Sequence, residues 1–103
     1  MRTLRFIVDK QMIRKDAMCD FSGIVPGTEG YLEAEFNTSD EWNGCAMAAV
    51  FYRYGKEYPV AVIDGKCTIP PDVLKKLSFD VMLVGEKDGY RICTNREEVR
   101  QNG

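Results

Sequence analysis

Turn-forming residues recur at intervals of about ten along this chain, which confines it to short elements. They fall at Asp9-Lys10, within residues 22–30, and at Asn43-Gly44, Gly55-Lys56-Glu57, Asp64-Gly65, Pro70-Pro71 and Glu86-Lys87-Asp88-Gly89. The most informative is Asp64-Gly65, set between Tyr58-Pro59-Val60-Ala61-Val62-Ile63 and Lys66-Cys67-Thr68-Ile69. A two-residue type I′ turn needs positive φ at both central positions, and Asp-Gly between two β-rich runs supplies them. A hairpin is expected there. A second is expected where residues 86–89 join Phe79-Asp80-Val81-Met82-Leu83-Val84-Gly85 to Tyr90-Arg91-Ile92-Cys93-Thr94.

The runs between turns alternate as strands do. In residues 31–36, Leu32, Ala34 and Phe36 share one face while Glu33 and Glu35 share the other, the period of a half-buried strand. Residues 45–54 differ. Cys45, Met47, Ala49 and Phe51 form one face, Ala46, Ala48, Val50, Tyr52 and Tyr54 the other, and both are largely apolar. Such a strand is expected to sit centrally in a sheet. Leu4-Arg5-Phe6-Ile7-Val8 and Met12-Ile13-Arg14 read as the first two strands, and the glycines and proline of residues 22–30 mark a loop. The helix signal is confined to one place: after Pro70-Pro71, the segment Asp72-Val73-Leu74-Lys75-Lys76-Leu77 sets Val73, Leu74 and Leu77 on one side. Beyond Asn95 the one apolar residue is Val99, so residues 95–103 are expected to form a polar tail.

These elements predict one all-β domain over residues 1–94. It is an antiparallel β-sandwich of seven or eight short strands, immunoglobulin-like or jelly-roll-like in its connections, with one short helix near 71–77. Leu32, Phe36, Trp42, Phe51, Val60, Val62, Val81 and Leu83 are expected between the sheets.

Composition narrows function. The 103 residues include 14 basic and 16 acidic side chains, a net charge of -2, and no histidine. Without histidine there is no Ser-His-Asp or Cys-His machinery and no side chain whose unperturbed pKa lies near neutrality. Balanced charge, with no basic cluster larger than Arg14-Lys15 or Lys75-Lys76, argues against nucleic acid as the partner. The first apolar run, Phe6-Ile7-Val8, is too short for a signal-peptide core, and residues 45–52 fall far below the ~20 residues a membrane-spanning helix needs. Cysteines stand at 19, 45, 67 and 93 with no Cys-x-x-Cys knuckle, so no zinc site is expected. They are read as reduced thiols acting as small hydrophobes; two disulfides, in three connectivities, are the other arrangement that four cysteines allow.

Glu33 and Glu35 form a carboxylate pair of the kind glycosidases use, but on a strand with an apolar opposite face they read as its solvated side. Asp40-Glu41 beside Trp42 has the composition of a cation or sugar site, or of a polar corner before a core tryptophan. The tyrosines carry more weight. Tyr52, Tyr54, Tyr58 and Tyr90, with Arg53 and Arg91 beside them, are the candidate interaction surface, because tyrosine and arginine are enriched where proteins meet; the other reading has them capping the core. No catalytic residue, cofactor or metal is expected.

One resemblance runs from Phe36 to Asn95. Phe36, the corner Ser39-Asp40-Glu41-Trp42-Asn43-Gly44, Ala49-Val50-Phe51, Tyr58-Pro59-Val60, Asp64-Gly65-Lys66-Cys67-Thr68-Ile69-Pro70, Val73-Leu74, Val84-Gly85 and Tyr90-Arg91-Ile92-Cys93-Thr94-Asn95 carry it. In these residues the chain resembles small β-sandwich structural proteins of phages and prophages of Gram-positive bacteria. The nearest named relatives are the N-terminal domains of baseplate upper proteins and related tail or fibre modules. The resemblance implies a non-enzymatic virion structural or accessory protein, a component of tail, baseplate or capsid surface. Its implied partners are other phage structural proteins and copies of itself, and its implied place is the virion or the host cytoplasm. Two other functions fit a small binding domain: an inhibitor of a host defence protein, and a carbohydrate-binding module using Trp42 or the tyrosines.

Overall fold

A computed structural model describes residues 1–75 and 77–101, and among these residues nine strands form two facing sheets. β1 (Arg2–Asp9), β2 (Met12–Lys15), β3 (Leu32–Thr38) and β6 (Lys66–Thr68) make the first sheet, in the order β2-β1-β3-β6. β4 (Ala46–Arg53), β5 (Lys56–Val62), β7 (Ser78–Lys87) and β8 (Tyr90–Cys93) make the second, in the order β5-β4-β7-β8, and β9 (Glu97–Arg100) also pairs with β7. The all-β sandwich follows from the turn spacing. One pairing departs from antiparallel: β1 and β3 run parallel in the register Leu4↔Ala34 and Phe6↔Phe36. The loop between β2 and β3 makes that crossover, and its Ile24 and Phe21 pack on the core, Phe21 meeting the Phe6 ring edge-on at 5.4 Å.

The alternating strands deliver their apolar faces inward as predicted. Leu32, Ala34 and Phe36 are buried on β3, as are Ala49 and Phe51 on β4 and Phe79, Val81 and Leu83 on β7. Val60 is half-buried against the same core. Trp42 ends a 3-10 turn over Asp40–Trp42 and is fully buried, its Nε1 donating to the Lys10 carbonyl at 2.8 Å. Lys10 takes positive φ, and its own N–H donates to Ser39 Oγ at 2.8 Å, so the corner around Trp42 also holds the β1–β2 turn.

Four expectations are corrected. The hairpin expected about Asp64-Gly65 is reduced to the single bridge Ile63↔Lys66: both turn residues take positive φ, but β5 pairs with β4 in the second sheet and β6 with β3 in the first, so the turn carries the chain from one sheet to the other. The helical segment is a 3-10 turn over Pro71–Lys75; five residues between a proline and a strand are too few to repay α-helix nucleation. Lys76, counted in that segment, lies outside the described residues. The turn expected at 55–57 is Tyr54-Gly55, both at positive φ, which places Lys56 and Glu57 in β5. The polar tail is in part a strand. β9 pairs with the first half of β7, from Ser78↔Arg100 to Val81↔Glu97, and puts Val99 at 0% exposure in the core. Asn102 and Gly103 lie outside the described residues.

β8 and β9 lie end to end along one side of β7. From Val84↔Cys93 to Val81↔Glu97 the partner strand advances four positions while β7 advances three, the extra residue of a β-bulge. Thr94 secures it: its N–H donates to the Leu83 carbonyl at 3.1 Å, and its Oγ1 accepts the Leu83 N–H at 3.0 Å. The bulge aims Asn95 and Glu97 across to the first sheet. Asn95 Oδ1 accepts the Ile13 N–H at 2.8 Å, and Glu97 Oε2 accepts the Lys15 N–H at 3.1 Å. The free edge of β2 is thus satisfied by side chains from the other sheet, which closes one side of the sandwich.

The β5 edge is closed differently. The two-residue Tyr54-Gly55 turn makes Arg53↔Lys56 a hydrogen-bonded pair, and alternation then leaves Val50↔Pro59 a non-bonded one. Pro59 therefore sits where its N–H would have pointed to solvent, the one place a strand tolerates proline and a device that discourages edge-to-edge pairing.

The four cysteines carry free thiols. Burial, helped by the nearby Glu33 charge, pushes the Cys67 thiol from 9.0 up to about 12. In the unfolded chain this thiol ionises near its ordinary value, so the stability it confers is fully present below pH ~9 and is lost as pH rises toward 12. Wild type should lose up to ~1.4 kcal/mol per pH unit more than Cys67→Ala over that window. Urea titrations at stepped alkaline pH read this difference, and parallel curves for the two proteins would refute it.

Candidate functional site

The six residues proposed as an interaction surface do not share one. Tyr58 points inward and packs on the core. Tyr54 occupies the β4–β5 turn at 77% exposure, with the Arg53 guanidinium 4.6 Å from its ring centroid. Arg53 donates from Nη1 to the Asp72 carbonyl at 3.1 Å. Tyr90 and Arg91 lie at the other end of the sheet, because Tyr90 pairs with Lys87 and Arg91 with Glu86, whereas the turn adjoins Arg53↔Lys56. At ~3.3 Å per residue the two ends are roughly 25 Å apart. The Tyr90 hydroxyl donates to the Glu41 carbonyl at 2.6 Å; the Cys45 thiol bonded beside it, burial and nearby negative charge hold the phenol above its usual range. Arg91 pairs with Glu86 at 3.8 Å.

Other candidates resolve into structural roles. Trp42 is at 0% exposure, so no sugar or other ligand can stack on it. Glu33 accepts a hydrogen bond from Thr3 Oγ1 at 2.8 Å, and Glu35 is paired with Arg5 at 3.0 Å and Lys66 at 3.8 Å. These carboxylates are the outward side of β3, as the alternation implied, and they make the outer face of the first sheet a lattice of complementary cross-strand pairs. Glu41 accepts from Ser39 Oγ at 2.8 Å, a bond that holds its carboxyl below the usual range. No helix among the described residues is long and apolar enough to cross a membrane.

The outer face of the second sheet is the opposite of the first. Strand registers bring Ala61, Ala48, Val84 and Cys93 into one row across it, and Pro59, Val50 and Met82 into the next. Ala61 and Pro59 are exposed, as is Ala46 beyond them; Ala48, Val50 and Met82 are half-buried, and Val84 is buried among its neighbours in the sheet. A shallow groove of about 440 Å³ runs here, lined by Ala46, Ala48, Val50, Pro59 and Val84, with Glu57, Glu86 and Arg91 on its rim. Tyr52 closes one end of this face. Its hydroxyl donates to Met82 Sδ at 3.0 Å, and the Arg96 guanidinium covers its ring at 3.6 Å.

Of the six predicted residues, then, Tyr52 and Arg91 border this face at opposite ends, and the other four lie elsewhere. The residues that form its floor were legible as the second apolar side of residues 45–54. β4 is central, as that pattern implied, and its outward apolar face has no protein layer over it among the described residues. Comparison with known protein families, with curated proteins and with solved structures finds no match to this chain.

Proposed function

We propose that this chain is a non-enzymatic binding module that works through protein–protein contact, with the outer face of the β5-β4-β7-β8 sheet as its contact surface. One observation carries the reading: a contiguous apolar sheet face is left open, while the other sheet's outer face is satisfied by its own ion pairs. Large open apolar patches on folded domains mark interaction sites. Two of the sheet edges are blunted, β2 by Asn95 and Glu97 and β5 by Pro59, which disfavours association through them.

The setting we propose is a phage or prophage particle, where the protein serves as a tail, baseplate or capsid-surface component. That setting rests on the sequence resemblance over residues 36–95 alone. The test is recovery of the chain in purified particles from a lysate of its own genome. Wild type should band with the particles, whereas Val50→Glu, which sets a charge in the middle of the face, should be at least ~10-fold depleted from them at equal abundance in the lysate. Wild type absent from particles and held instead by a host protein would replace the virion role with that of a host-directed inhibitor.

A further inference from the structure

We draw no further inference here: the strongest candidate, the open apolar outer face of the β5-β4-β7-β8 sheet, is the contact surface already described, and nothing in the structure shows what covers it.

Discussion

Ending the chain after Asn95 is expected to abolish cooperative folding. The deletion removes Val99, at 0% exposure, whose burial contributes roughly 1.5–3 kcal/mol. It also strips the partner from residues 78–81 of β7 and takes the Glu97 carboxylate from the Lys15 N–H. Each backbone group left without its bond on a partly buried edge adds to the loss, about 1 kcal/mol apiece. Together these effects approach the roughly 5–15 kcal/mol that holds a domain of this size. Urea denaturation followed by circular dichroism should show no cooperative transition for residues 1–95, whereas Val99→Ala in the full chain should keep one at a lower midpoint. If the truncated chain unfolded at the wild-type midpoint, β9 would be dispensable and the account of the second sheet wrong.

Gly85→Ala should be nearly as damaging as a large core truncation, although it adds a single methyl group. Gly85 lies on β7 without a positive φ, so backbone freedom does not explain the glycine; space does. A Cβ there would lie 2.8 Å from Trp42 Cε3, 2.9 Å from Cζ3 and 3.2 Å from the Cys45 Cβ. The indole cannot retreat, being fully buried and tethered through Nε1 to the Lys10 carbonyl. Overpacking of this kind costs about 1–3 kcal/mol, and Gly85→Val should exceed that range. Trp42→Phe frees space against the new methyl group, so Gly85→Ala with Trp42→Phe should cost less than the two singles added together, by about 0.5 kcal/mol or more. Strict additivity in the double-mutant cycle would mean that the methyl group meets something other than Trp42.

These sites show what local pattern could and could not convey. Asp64-Gly65 specified its turn, with both residues at positive φ, because the dipeptide carries the needed backbone preference itself, but the hairpin expected about it did not form, because which sheet each arm joins is set by distant strands. The alternation of residues 31–36 specified which side of β3 faces the core. Tyr54 was misplaced because tyrosine rarely adopts positive φ, so nothing local marked it as the first half of a turn. β9 was missed for a related reason: Glu97-Glu98-Val99-Arg100 offers one apolar residue, and it is a strand because β7 extends past β8 and leaves an edge to fill. The second apolar side of residues 45–54 was visible, but its surroundings were not. An apolar second side means either a covering layer or an open surface, and only the placement of the other sheet decides between them. The tyrosines, chosen by residue type, were scattered by alternation and turn geometry to both ends of the sheet and into the core.

The side-chain seam between the two sheets has a consequence for how the protein is made. It ties Ile13 to Asn95 and Lys15 to Glu97, each across 82 positions of sequence. Chains dominated by such distant pairings fold slowly, in milliseconds to seconds, because loop closure must precede any reward. The β1–β2 hairpin leaves the ribosome 82 positions ahead of the groups that satisfy its open edge. Until they do, it presents the kind of unpaired strand on which nascent chains aggregate. Folding of this domain thereby waits for Asn95 and Glu97, and translation stalled before residue 95 is expected to yield a protease-sensitive chain in place of a partly built domain.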